Sequence, residues 1–255
     1  MVLNENDWLC RTRLLTGDDG AERLFSSRVT VVGLGGVGGI AAEMLARAGI
    51  GEMTIIDGDS FDATNRNRQI GALVSTTGRQ KTAVMAERLR DINPDIKLHV
   101  VDAYLHDDLI GQTLSAHPCD CLLDAIDSLA PKIALLMYCV QNQIPVISCM
   151  GSGARLDPER IRCVDISKTE HCPLARAVRR ELRKNGIEKG LRVIFSPEDP
   201  PPGSVVECHA EGVPNKRSVT GTISYMPALF GCHCAAAVIR QILSGCGGTS
   251  RPDCV

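Results

Sequence analysis

Apolar residues follow two alternating rhythms along this chain. Short runs rich in aliphatic residues, Arg28 to Val32, Met53 to Ile56, Lys97 to Val101, Cys121 to Ala125 and Pro145 to Met150, predict strands. Between them come stretches with a single apolar face. Ile40, Met44, Leu45 and Ala48 share one side of a helix that Gly49 and Gly51 end. A second helix is predicted over Lys81 to Ile92, stopped at Asn93-Pro94, and a third from about Pro131 to Asn142. Strands that alternate with helices must pair in parallel through crossovers, so the pattern predicts a doubly wound, mostly parallel α/β sheet.

The flanks read differently. Residues 1–27 form a polar N-terminal arm that carries Arg11 and Arg13, and 28–153 form the Rossmann-like core. Residues 154–255 are expected to form an excursion and a C-terminal helix packed on that core, giving a single unit overall. The stretch Ile223 to Leu243 is apolar but holds Pro227, His233 and Arg240, which favours a buried helix over a membrane span.

Composition narrows the chemistry. The chain has 255 residues, 44% hydrophobic and 23% charged, which suits a soluble globular domain. Aromatic content of 3% argues against base-stacking platforms, and a net charge of -2 argues against nucleic-acid binding through overall charge. There are 12 cysteines, mostly within apolar runs such as those holding Cys121, Cys139, Cys149 and Cys232. The start of the chain lacks the pattern of a signal peptide, so a cytoplasmic protein with reduced, buried cysteines is expected. Paired CxxC zinc motifs are absent.

Gly33-Leu34-Gly35-Gly36-Val37-Gly38 links the first strand to the first helix. Gly33 suits a tight turn, Gly35 and Gly36 let a phosphate approach the backbone, and Gly38 permits close helix packing. Asp57 closes the second strand, where a carboxylate can bind ribose hydroxyls, with Asp59 just beyond it. Alone, this fingerprint reads as a dinucleotide site. Asn65-Arg66-Asn67-Arg68-Gln69 and Lys81 shift the reading towards ATP. A leaving pyrophosphate needs cations that a dehydrogenase does not, and Arg68 and Lys81 are the candidates. Asp124 and Asp127 end the fourth strand at the ligand edge of such sheets, and Asp127 is the candidate for Mg2+.

In order and context, Gly33 to Gly38, Asp57, Asn65 to Gln69, Lys81 and Asp124 to Asp127 resemble the ThiF/MoeB family of ubiquitin-activating-like adenylating enzymes. The resemblance implies an acyl-adenylate mechanism with Gly33, Gly35, Gly36, Gly38, Asp57, Asp59, Asn65, Arg68, Gln69, Lys81 and Asp127 around ATP. Arg68, Lys81 and Asp127 would carry the chemistry. It also implies a symmetric homodimer, in which Arg11 or Arg13 of one subunit could reach the phosphates of the other. Gly151 to Pro158, Pro173 to Lys184, Phe195 to Glu198 and Gly221 to Pro227 look like the branch of the family that dehydrates threonylcarbamoyladenosine in tRNA.

A basic helix suits that substrate. Arg176, Arg179, Arg180, Arg183 and Lys184 recur at helical spacing and could track tRNA phosphates, with Lys216 and Arg217 extending the patch. Cys172 is read as structural, because intramolecular ring closure needs no protein nucleophile. Two other readings stay open from the residues: adenylation of a sulfur-carrier protein, which would bring a sulfur-transfer partner, and a nucleotide-binding module or NAD oxidoreductase.

Overall fold

The computed structural model describes residues 7–207 and 218–245. Nine strands form among them: β1 (Arg28–Val32), β2 (Glu52–Ile56), β3 (Lys97–Val101), β4 (Cys121–Asp124), β5 (Val146–Cys149), β6 (Arg162–Asp165), β7 (Arg192–Phe195), β8 (Val205–Glu207) and β9 (Ser218–Thr220). The helices are α1 (Cys10–Ser26), α2 (Gly38–Arg47), α3 (Lys81–Ile92), α4 (Asp107–Ala116), α5 (Leu129–Gln141), α6 (Pro173–Lys184) and α7 (Tyr225–Leu243).

Seven strands make the main sheet in the order β3-β2-β1-β4-β5-β7-β6, all parallel except the antiparallel edge strand β6. The chain builds outward from β1 to β3, returns beside β1 with β4, and builds the other way. The switch point therefore lies between β1 and β4, where open α/β sheets bind ligands.

Side chains alternate across the strands and fill two layers. Val31, Ile55, Leu123 and Ile147 face α2, α3 and α7, in a core with Leu45, Met85 and Phe230. Val32, Ile56 and Leu122 pack on the other face with Leu114 of α4 and Leu135 of α5. Val193 and Phe195 continue that layer against Val178 and Leu182 of α6. Beyond residue 153 the chain thus adds β7 and β6 to the main sheet.

Two elements depart from the expected pattern. The polar arm is largely the helix α1, interrupted at Gly17, whose φ of 73° and ψ of 171° are not helical. Helix α4 arises in a stretch with no predicted element, and Asp107 and Asp108 occupy its first turn, where carboxylates suit the helix dipole. Helix α7 is long and apolar enough to cross a membrane by length and composition alone. Its Met226, Phe230, Cys234 and Val238 are buried in the core beneath the sheet.

Candidate active site

The Gly-rich turn is shaped by what its glycines cannot carry. Gly33 has φ +89°, and a Cβ there would lie 2.8 Å from the Ala125 carbonyl oxygen. A Cβ on Gly38 would lie 1.7 Å from the Gly33 oxygen. Gly36 is closed in by Pro227, at 2.9 Å, and by the Arg68 carbonyl oxygen, at 3.2 Å. Gly35 is open: its nearest neighbour would be Gln69 Nε2 at 3.9 Å. Helix α2 begins at Gly38, at the end of this turn, and a helix N-terminus is the electrostatic setting for a phosphate.

Asp57 stands across from the turn. Its Oδ2 accepts the Leu34 N–H at 2.6 Å and its Oδ1 accepts the Asp59 N–H at 2.8 Å. Burial lifts this carboxyl above its usual range, against the charge of Lys81 and the two N–H groups. Lys81 is 5% exposed, and its Nζ lies 2.7 Å from Asp59 Oδ2. The Tyr104 hydroxyl donates to the other Asp59 oxygen, and that bond pushes its pKa up to about 12. Lys81 and Asp59 thus form a charge pair beside the ribose candidate Asp57.

The Asn65 to Gln69 segment is a folded wall. Asp62 caps a short 3-10 turn, and Asn65 Nδ2 donates back to Asp62 at 2.9 Å, so Asn65 is spent on the turn itself. Arg68 Nη1 donates to the Thr64 oxygen at 2.9 Å and to Asn67 Oδ1 at 2.8 Å. Asn67 ties the wall to Thr222 at 2.9 Å. Gln69 is buried, and its Oε1 has no hydrogen-bond partner. The orphaned oxygen is an acceptor that an amino or hydroxyl donor of a nucleotide would satisfy, and the Nε2 of the same amide is the group beside Gly35.

Beneath this lies an ion pair that departs from the sequence-based expectation. Asp124 ends β4 at the carboxyl edge of the sheet, as expected, but its side chain is fully buried. Its Oδ2 accepts from Lys132 Nζ and from Ser148 Oγ, each at 2.6 Å, while Oδ1 accepts the Ile126 N–H at 3.0 Å. Lys132 is not among the predicted site residues, although a lone lysine inside the apolar run of α5 is a visible signal. Asp127 is exposed in the loop between β4 and α5, and Ser128, not Asp127, is the N-cap of that helix.

On α6, Ala175, Val178 and Leu182 point inward and Arg176, Arg180, Arg183 and Lys184 are exposed. Arg179 differs: its Nη1 donates to the Thr169 carbonyl at 2.6 Å and also to the Thr169 hydroxyl. Glu181 partly neutralises the patch through Arg180, at 3.1 Å, and Lys184, at 2.8 Å. Lys216 and Arg217 lie outside the described residues. Cys172 is buried at the N-cap of α6. In the arm, Arg13 pairs with Asp7 at 2.8 Å, whereas Arg11 lines a groove between α1 and the end of α7. That groove borders Ala236 to Leu243, the opposite end of α7 from Pro227 and the Gly-rich turn.

Known proteins resemble this chain in sequence and in fold. A tRNA threonylcarbamoyladenosine dehydratase of Bacillus subtilis is 43% identical over 190 residues, 74% of each chain. A protein of the same name from Haemophilus influenzae is 36% identical over 239 residues, 91% of each chain. The crystal structure of the Escherichia coli tRNA N6-threonylcarbamoyladenosine dehydratase in complex with ATP superposes with a TM-score of 0.85 at 34% identity, covering 96% of this chain and 98% of that one. The model of the ThiF family matches residues 9–253, and on that match this chain belongs to the ThiF family.

Proposed function

We propose that the protein is an ATP-dependent dehydratase of threonylcarbamoyladenosine in tRNA. The observation that carries this reading is the open Gly35 with the buried Gln69 beside it, 3.9 Å away through Nε2, on a chain whose likeness to the dehydratases extends through the excursion. That extent favours dehydration over adenylation of a sulfur-carrier protein.

In this reading the threonyl carboxylate of the modified base attacks the α-phosphorus of ATP. A P–O bond forms, the bond to the β-phosphate bridge breaks, and pyrophosphate leaves. A ureido heteroatom of the same side chain then attacks the acyl carbon, and AMP departs with one carboxylate oxygen. The ring closes and the base has lost one water. Intramolecular attack has an effective concentration of about 10⁵ M or more, so no protein nucleophile is required.

The chain's own residues position these groups. Asp57 receives the ribose hydroxyls, with Asp59 poised by Lys81 and Tyr104. Gly35, Gly36 and the α2 N-terminus receive the phosphates, and the Gln69 amide Nε2 donates beside them. Lys81 and Arg68 stabilise the charge of the leaving pyrophosphate. Asn65 shapes the wall. Among the described residues no group of three or more potential ligands could hold a metal. A single carboxylate with the phosphates is the setting Mg2+ favours, and Asp127 is the residue that would hold it, where it supplies charge neutralisation. The exposed cations of α6 hold the tRNA backbone. A homodimer, with Arg11 of one subunit serving the other, fits an arginine placed far from its own Gly-rich turn. The arm, core and excursion work as one unit.

The test is AMP formation from ATP and Mg2+ with threonylcarbamoyl-modified or unmodified tRNA, with nucleoside mass recorded in parallel. AMP release matched by loss of one water from the modified nucleoside is expected. Folded, ATP-bound protein that produces neither with modified tRNA, but exchanges pyrophosphate with a carrier protein, would favour the other reading.

A further inference from the structure

Arg155 is the one buried arginine among the described residues, 3% exposed. A guanidinium carries five N–H donors. Here Nη1 donates to the carbonyl of its own neighbour, Ala154, at 2.9 Å, and Nε is buried without a partner. None of the ion pairs among the described residues includes it. A cation withdrawn from water normally finds a carboxylate, because the desolvation cost is otherwise uncompensated.

The loop that carries it is built to hold this residue. Ala154 has a φ of 54°, the left-handed region that residues with a Cβ seldom adopt. Its N–H donates to the Gly221 oxygen at 2.8 Å. Glu198 accepts the N–H groups of Leu156 and Asp157 at 3.0 and 2.9 Å, and the Tyr225 hydroxyl donates to the Leu156 oxygen at 2.8 Å. The loop is thus fixed on both sides of an arginine that lacks an anion. Strain of this kind persists where surrounding structure over-determines it.

Its place in the sheet says which anion is missing. Asp57 follows β2, the Gly-rich turn follows β1, Asp127 follows β4, and residues 150–157 follow β5. These strands lie side by side in that order. With the ribose at β2 and the phosphates over β1 and β4, the acyl substrate has to approach from β5. We propose that Arg155 is the substrate-binding residue that receives the carboxylate of the acyl substrate before adenylation; this rests on the dehydratase reading above.

The carboxylate loses its charge as it bonds to phosphorus. The interaction with Arg155 is therefore stronger before the transition state than in it. Its removal should raise KM for the modified tRNA and raise kcat slightly rather than lower it.

The experiment uses the full chain, as wild type, Arg155→Met and Arg155→Lys, with AMP formation measured against modified tRNA and against ATP. Free N6-threonylcarbamoyladenosine and its uncharged methyl ester serve as competing probes. Expected for Arg155→Met is an unchanged or higher Tm, roughly tenfold higher KM for tRNA, ATP affinity as in the wild type, and loss of the preference for the carboxylate over the ester. Arg155→Lys should restore part of both. Wild-type KM and an intact carboxylate preference in Arg155→Met would overturn the inference, as would a lowered Tm without any change in KM. Wild-type protein that makes no AMP with modified tRNA would instead sink the dehydratase reading, and this inference with it.

Discussion

Lys132 Nζ lies 2.6 Å from Asp124 Oδ2, and both side chains are completely buried. Asp124 ends β4, the strand beside the switch point, and its other oxygen holds the Ile126 N–H that starts the loop carrying Asp127. The pair joins α5 to the floor of the site. Removing one partner strands the other charge in the core. Lys132→Met should therefore destabilise the protein by about 3–5 kcal/mol, whereas pairing it with Asp124→Leu should recover much of that loss. Chemical denaturation of the two variants separates these outcomes. Equal stability of the single and double variants would mean that the pair is not coupled as its geometry requires.

The two ends of the Gly-rich turn should respond in opposite ways to a methyl group. Gly35→Ala meets nothing closer than Gln69 Nε2 at 3.9 Å, so stability should stay within about 1 kcal/mol of the wild type. The new Cβ would stand where a phosphate is proposed to approach, and ATP should bind about tenfold more weakly or worse. Gly38→Ala would place its Cβ 1.7 Å from the Gly33 oxygen, and about 3 kcal/mol of stability or folding itself should be lost. Thermal melts with and without ATP distinguish a binding defect from a folding defect. A Gly35→Ala protein with wild-type ATP affinity would count against phosphate binding at this turn.

Much of this architecture is legible in the sequence because period and punctuation agree. The bounds of β1, α3 and β3 match those expected, since aliphatic runs and the Asn93-Pro94 stop leave little choice. Helix α1 is hidden by its polar surface and by the break at Gly17. Asp124 shows a deeper limit. A carboxylate at a strand end reads as a ligand group, but whether it meets substrate or a lysine depends on a partner eight residues away on α5. Arg155 is unreadable for the same reason. Its burial and its place in the loop are products of interactions from Gly221, Glu198 and Tyr225, all distant in sequence.

Two buried carboxyls should give pH effects of opposite sign. Burial lifts Asp57 above its ordinary 3.8, and Lys81 and the Leu34 N–H offset that only in part. The folded chain then holds the Asp57 proton more tightly than the unfolded chain. Its contribution to stability is full below 3.8 and is lost as pH rises through the folded value. For Glu43 burial acts the same way, but hydrogen bonds from Arg88 at 2.5 Å and Arg47 at 2.9 Å outweigh it and hold the carboxyl below its ordinary 4.5. Its contribution is present above 4.5 and is lost as pH falls through the folded value. Stability relative to wild type should therefore move in favour of Asp57→Asn as pH rises from acid to neutral. Glu43→Gln should cost about 1 kcal/mol at neutral pH, given the partly exposed arginines, and less in acid. Denaturation midpoints across that range test both signs, and parallel profiles for the two variants would contradict the assignment.

Helix α6 offers a way to separate binding from structure within one basic motif. Arg176, Arg180 and Arg183 are exposed, while Arg179 is fastened to Thr169 at 2.6 Å. Arg176→Ala and Arg183→Ala should weaken tRNA binding without changing Tm. Each arginine–phosphate pair removed should lower the slope of log affinity against log salt by about 1. Because phosphate pairing positions the tRNA without reading its bases, modified and unmodified tRNA should bind more weakly alike. Arg180→Ala should do less, since its charge is already shared with Glu181 at 3.1 Å. Arg179→Ala should instead cost about 1 kcal/mol of stability by removing its hydrogen bond and leave the salt slope nearly intact. Filter binding over a salt series, set beside thermal melts, gives both numbers for each variant. If Arg179→Ala changed the salt slope as much as Arg176→Ala, the division between the exposed face and the pinned arginine would fail. If none of the exposed arginines changed it, the tRNA path would have to run elsewhere on the protein.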